Sequence, residues 1–441
     1  MAESSRSSRR AAVLALAALT AINLLNYLDR YVVSAVLPEL KRAPMGLSDL
    51  KLGTLMSGFL LVYLLAAPVF GRLGDRGSRT RPIALGVFLW SLATGLSGLA
   101  RNYGELLGSR ALVGIGEAAY GTIAPALLAD YFPRATRGRA LAVFNMAIPV
   151  GAALGYIVGG VVEQHFGWRA AFYVAGVPGL LLAAGMLRLR DPPRGALDPR
   201  PESPARPAVS RGKPFAESFA VYGRLIRHGT YMLTVLGYAA YTFALGGLAF
   251  WMPTFLQRVR HVPAVASTVG FGEIVVATGF IGTFAGGWLG DYWLRSSRQA
   301  YLWMSGWITL LAVPAAWLAL SAPAPEVFYS ALIVAELLLF MSTGPINTAI
   351  VNLVDPADRA SAVALSVFVI HVLGDVISPS IIGGLSDVLN LGAAVLIVPV
   401  AVALAAILWL AAARTGSDPP AGPRSPGNRP DQRETNARSM T

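Results

Sequence analysis

The sequence predicts an all-α membrane protein with twelve spanning helices in two six-helix bundles. Three observations predict it: an apolar composition, apolar runs that recur along the chain, and an internal repeat. Of 441 residues, 55% are hydrophobic and only 14% charged. A soluble protein carries roughly 25% charged residues, so this chain lacks the charge to cover a water-facing surface. Its mean hydropathy is +0.56. There is no cysteine and there are only four histidines, which excludes disulfides and thiolate metal sites and leaves little for a metal cluster. No cofactor is expected. The net charge of +12 raises nucleic acid as a partner. The basic residues, however, sit in short loops between apolar runs, and anionic membrane lipid accounts for them better.

Each run is long enough to cross the ~30 Å hydrocarbon layer. The spans are read as 11–38, 48–71, 82–100, 103–131, 138–163, 168–188, 230–257, 266–291, 300–321, 325–354, 359–386 and 391–413. The first follows Arg9 and Arg10 as a secretory signal would. It continues through Asn26, Tyr27 and Asp29 with no convincing cleavage site, and is read as the first span.

Basic residues give the expected orientation. Arg72, Arg76, Arg79 and Arg81, then Arg134, Arg137 and Arg139, then Arg188, Arg190 and Arg194, then Arg295, Arg298 and Arg414 fall on one side. The other side carries fewer: Lys41, Arg42, Lys51, Arg101, Arg169, Arg258 and Arg260. The positive-inside rule puts both termini and the central loop in the cytoplasm.

Residues 1–190 are read as one bundle, 191–228 as a cytoplasmic linker, 229–413 as the second bundle and 414–441 as a disordered tail. From Asp191 to Pro214 the chain is rich in proline, arginine and alanine without apolar periodicity. The halves also repeat. Gly71-Arg72-Leu73-Gly74-Asp75 follows the second span and Gly287-Trp288-Leu289-Gly290-Asp291 follows the eighth, with Arg79 and Arg295 at the same later position. Parallel repeats of this kind build one large class of secondary transporters.

At these motifs the chain resembles the major facilitator superfamily. Gly71-x-Leu73-Gly74-Asp75-Arg76-x-x-Arg79 is similar to its loop between the second and third helices, and Arg110-x-x-x-Gly114-x-Gly116 to its fourth-helix motif. Asn26-Tyr27-Leu28-Asp29-Arg30, Gly114-Ile115-Gly116-Glu117-Ala118, Ile123-Ala124-Pro125 and His371-Val372-Leu373-Gly374-Asp375 with Ser378-Pro379 resemble the Spinster family of lipid transporters. The resemblance covers about residues 20–390. It implies a rocker-switch transporter with the major facilitator fold, often proton-dependent, that moves lysophospholipids or sphingosine-1-phosphate in animal members. A monomer in a bacterial inner membrane is expected.

An ionisable residue inside the bilayer is costly and needs a partner or a watery cavity. That singles out Asp29, Arg30, Arg110, Glu117, Glu273, Glu336, His371 and Asp375. Asp29 and Arg30 are neighbours, so on a helix they point about 100° apart and must find partners elsewhere. Arg110 and Glu117, seven apart, share a face of the fourth span, and Gly114 and Gly116 let that helix approach another closely. A cluster of two acids and two arginines follows. Arg30 or Arg110 binds an anionic headgroup by its forked guanidinium. Glu117 is the proton carrier, with Asp29 and Asp375 as further candidates. A static cluster that only fixes packing, or an Asp29 wetted at the outer interface, is the alternative.

His371 and Asp375, four apart, share a face of the eleventh span, and the resemblance puts both near the transport path. A packing pair is the alternative. Glu336, Thr343 and Asn347 share a face of the tenth span and are expected to line a cavity. Tyr238 and Tyr241 either join it or simply pack. Glu273 is expected to be buried. On superfamily resemblance, Asp75, Arg76 and Arg139 belong to a cytoplasmic gate. In the outward-open state Asp75 is expected to pair there with Arg134, Arg137 or Arg139 and with the positive N-terminus of a neighbouring helix, topogenic charge being the plainer reading. Gly151, Gly155 and Gly159 form a helix-packing seam.

The expected function is transport of an amphipathic anionic lipid, coupled to protons or facilitative. A proton-coupled symporter of small hydrophilic organic anions is the alternative. No G-x-S-x-G, H-E-x-x-H or nucleotide-binding lysine loop is present, so an enzyme is not expected.

Overall fold

The computed structural model describes residues 2–195, 197, 215–294, 297, 299–355 and 358–415. The expected tail beyond residue 415 and most of the Asp191–Pro214 stretch, like Arg295 and Arg298, lie outside them. Among the described residues, twelve helices are long and apolar enough to span a membrane: Arg10–Arg42, Asp49–Asp75, Thr80–Leu99, Tyr103–Tyr131, Thr136–Phe166, Trp168–Met186, Gly229–Arg258, Ala264–Leu294, Ala300–Ser321, Pro325–Asn352, Ser361–Val388 and Leu391–Thr415. They are called the first to twelfth spans.

Local chemistry sets several of the starts. The Ser48 side chain accepts from the Lys51 N–H, and the Asn102 side chain from that of Glu105. Each satisfies a donor that the first turn leaves without an intrahelical partner. Within the region read as linker, Phe215–Arg227 is a thirteen-residue helix. Its Arg224 reaches Asp358, just before the eleventh span, at 3.1 Å.

The eleventh span is interrupted. Arg359–Ile370 gives way to a π-helical turn, His371–Asp375, and then to Ser378–Val388. A side chain on Gly374 would collide with Thr242 of the seventh span. The Thr242 hydroxyl donates to the Ile370 carbonyl at 3.0 Å. The break is thus matched by a polar group on the neighbouring helix, as a membrane interior demands.

The first span packs along the fifth, where side chains at Gly151 and Gly155 would strike the Leu24 and Leu28 carbonyls and one at Gly159 would meet Ala35. The halves meet through the second and eleventh spans and through the fifth and eighth. Helix two of one half meets helix five of the other, twice over, as two repeats about one pseudo-two-fold axis should.

Candidate functional site

The first and fourth spans carry two ion pairs. Asp29 accepts from Arg110 Nη1 at 3.1 Å, both side chains being 1% exposed, and also accepts from the Thr94 hydroxyl of the third span. Arg30 Nε donates to Glu117 Oε2 at 2.7 Å. The neighbours Asp29 and Arg30 point apart and each finds its partner on the fourth span. The cluster therefore resolves into two separate pairs.

Glycines make this approach possible. A side chain at Gly114 would strike the Phe59 carbonyl of the second span, and one at Gly116 the Gly86 carbonyl of the third. The fourth span is thereby drawn against both neighbours, and its two ionic groups reach the first span at hydrogen-bonding distance.

Arg30 is also held by aromatic faces. Its guanidinium carbon lies 5.0 Å from the Tyr27 ring centre and 5.2 Å from those of Phe59 and Tyr63. Such contacts are worth about 0.5–2 kcal/mol each, more as water is excluded. Sequence reasoning missed this cage. Its signal was local, since Tyr27 precedes Arg30 by one helical turn and Phe59 and Tyr63 are four apart.

The two pairs differ in access. Arg30 keeps 15% of its side chain exposed, whereas Glu117 is fully buried. Glu117 Oε1 and Arg110 Nη2 are buried without a hydrogen-bond partner among the described residues. Asp29–Arg110 is a sealed pair. Arg30–Glu117 is open on the arginine side and has an unused carboxylate oxygen on the other.

In the second half, His371 Nδ1 lies 2.9 and 3.0 Å from the two Asp375 carboxylate oxygens. The pair closes over a π turn, where a regular α-helix was expected. Asn347 donates to the Tyr238 hydroxyl at 3.0 Å, and the Tyr241 hydroxyl lies 2.9 Å from that of Thr343. Tyr241 is fully buried, with its ring 5.4 Å from that of Trp409. Glu336 is 3% exposed. Glu273, expected to be buried, is exposed. It is Gly272, beside it, that faces Ala153 of the fifth span.

At the end carrying Asp75, the pairing expected when that end is shut is not made among the described residues. Asp75 is exposed and makes no hydrogen bond among the described residues, and Arg139 is exposed. Arg137 donates to the Ala129 and Phe132 carbonyls. The side chains of Arg76 and Arg134 fall outside the described residues. The motif's last arginine is buried: Arg79 is 4% exposed and pairs with Asp130 and, at 2.7 Å, with Asp191.

The opposite end holds a cluster that sequence reasoning missed. Asp49 of the second span accepts from Arg258 of the seventh at 2.9 and 3.0 Å, from Lys41 at 2.9 Å and from Ser386 of the eleventh at 2.6 Å. The Ser57 and Ser380 hydroxyls meet at 2.7 Å, and side chains at Gly53 and Gly383 would strike the Pro379 and Asp49 carbonyls across the interface. The halves are therefore joined at the Asp49 end. At the Asp75 end the ion pairs of Arg79 and Arg224 each stay within one half or its flanking linker.

The family model of the Major Facilitator Superfamily matches residues 19–379. Protein spinster homolog 1 of Xenopus laevis is 34% identical over 385 residues, covering 83% of this chain and 71% of its own. The sphingosine-1-phosphate transporter SPNS2 of Mus musculus is 34% identical over 432 residues, covering 88% of this chain and 74% of its own. A solved bacterial homolog to the human lysosomal transporter Spinster, in an inward-facing and unoccupied conformation, matches with a TM-score of 0.82. It is 26% identical and covers 92% of this chain and 97% of its own. The fold, the charged first and fourth spans and these relatives agree: the chain belongs to the Major Facilitator Superfamily and, within it, to the spinster family of transporters, and it is not an enzyme.

Proposed function

We propose that the protein moves an amphipathic anionic lipid, lysophospholipid- or sphingosine-phosphate-like, by alternating access coupled to protons. The observation that carries this reading is the 2.7 Å pair between Arg30 and Glu117, sealed on the glutamate side and partly open on the arginine side. In the empty site each ion holds the other charged. A proton on Glu117 neutralises it and frees Arg30, whose fork then takes the phosphate of the substrate. Arg110, paired with Asp29, is the second arginine proposed to bind the substrate anion. Tyr238, Tyr241, Asn347 and His371 form the second-half side of the substrate path, and Asp29 and Asp375 are the further proton-coupling candidates. The aromatic faces around Arg30 suit an amphipath, which brings apolar chain next to its charge. A relative named as a sphingosine-1-phosphate transporter supports the substrate class.

The basic Asp75 end faces the cytoplasm by the positive-inside rule, with the protein a monomer in a bacterial inner membrane. Joined at the Asp49 end, the protein is then inward-facing, as is the bacterial homolog it resembles. Asp75, Arg76 and Arg139 act when that cytoplasmic end shuts. The test is uptake into vesicles holding the purified protein. Uptake of sphingosine-1-phosphate or a lysophospholipid, lost in Arg30→Ala, is expected. Uptake of small carboxylates with no lipid movement would overturn the lipid reading in favour of organic-anion symport.

A further inference from the structure

Among the described residues, three acidic side chains are deeply buried in the middle of the spans, and two of them carry an arginine. Asp29 has Arg110 and Glu117 has Arg30. The third, Glu336 in the tenth span, is 3% exposed and makes no hydrogen bond or ion pair among the described residues.

Among the described residues no cationic side chain pairs with it, and the polar groups on the neighbouring spans are committed elsewhere or uncharged. From the seventh span comes Tyr241, whose hydroxyl is committed to the Leu339 carbonyl at 2.5 Å. From the fifth comes Tyr156, whose hydroxyl donates to the Ala249 carbonyl at 2.6 Å. From the first comes Tyr31, which lies within electrostatic reach of Glu336, Asp375 and Arg30. On the eleventh span, Asp375 is occupied by His371. The ninth contributes Thr309, bonded to Ser342, and the eighth carries Glu273, which is exposed, and Asp291, which accepts from Tyr301. An ionised carboxylate with no ion-pair partner is costly in such a place, whereas the neutral acid is not.

The geometry points to Glu336 as a second proton-binding site, in the half opposite Arg30 and Glu117. The acid carries its proton while the halves are joined at the Asp49 end and gives it up when their rearrangement admits water or a cation. This goes beyond the role proposed for Glu117 and does not depend on it.

Infrared difference spectra of the full chain in phosphatidylcholine vesicles, between mildly acidic and alkaline buffers, test this without a transported ligand. The neutral-carboxyl C=O band should titrate in wild type and in Glu117→Gln, be missing one component in Glu336→Gln, and return, shifted, in Glu336→Asp. Should Glu336→Gln fail to fold, the shift in Glu336→Asp against wild type still reads the same group. Identical difference bands in wild type and the Glu336 variants would overturn the proposal. So would a Glu336 band that is the same at both pH extremes, because a static acid binds no exchangeable proton. Loss of pH-dependent uptake in Glu117→Gln reads the Glu117 role separately, so the two readings fail independently.

Discussion

Asp387, in the second half, accepts hydrogen bonds from the backbone N–H groups of Asp49 and Leu50, in the first, at 2.8 and 2.9 Å. The second span thus begins with its own cap, Ser48, and with a carboxylate from the other half at the positive end of its helix. Asp49 in turn takes Arg258 and Ser386. The two halves supply each other's missing partners, and that is the physical content of closure at this end.

A direct prediction concerns Ser57 and Ser380, whose hydroxyls meet at 2.7 Å across the halves. The chain has no native cysteine, so a Ser57→Cys/Ser380→Cys protein carries no background thiol. Mild oxidation should crosslink it and arrest transport, and reduction should restore transport. Efficient transport by fully crosslinked protein would show that this end need not open.

The same latch predicts a shift in conformational balance. Arg258→Ala leaves Asp49 with Lys41 and Ser386 only, so the joined state should lose population. Spin labels across the Asp49 end should report longer distances in Arg258→Ala than in wild type.

At the other end, Asp75→Asn should leave the stability of the observed conformation unchanged, because Asp75 is exposed and makes no hydrogen bond among the described residues. Its effect should fall on the alternate state, with label distances across the Asp75 end biased further towards open. Unchanged distance distributions would count against a gating role.

Arg79 is a contrasting case. Removing it strands Asp130 and Asp191 around a buried gap. Breaking a buried pair costs roughly 3–5 kcal/mol, and the 24% exposure of Asp191 puts Arg79→Ala near the lower end. A lowered apparent melting temperature of detergent-purified protein, with Arg79→Lys in between, is the expected result.

Much of this was legible in the sequence because it is local or periodic. The spans end within a few residues of the expected positions, since hydropathy and loop charge define them residue by residue. That Asp29 and Arg30 must look to other helices followed from the 100° step between neighbours, and Gly114 and Gly116 announced close approach. The Asp49–Arg258 contact was not legible, because residues 209 positions apart leave no pattern in one chain. The Phe215–Arg227 helix did leave one: Phe215, Phe219, Tyr222 and Ile226 recur at helical spacing. The proline-rich stretch before it obscures that pattern when the linker is read as one segment. The π turn at His371 was hidden for another reason: it depends on Thr242, on a different helix.

The central claim is that Glu117 carries the proton whose arrival frees Arg30. Glu117→Gln mimics the protonated acid, and Arg30→Ala removes the anion's partner. The deciding measurement is lysophospholipid binding and vesicle uptake by both variants, with and without an imposed pH gradient. Glu117→Gln should bind the lipid at least as well as wild type and lose the response to the gradient. Arg30→Ala should lose binding by about tenfold or more, the scale of one charge-assisted hydrogen bond of roughly 1.5–3 kcal/mol, at every pH. A Glu117→Gln protein that still answers the gradient as wild type does would contradict the account.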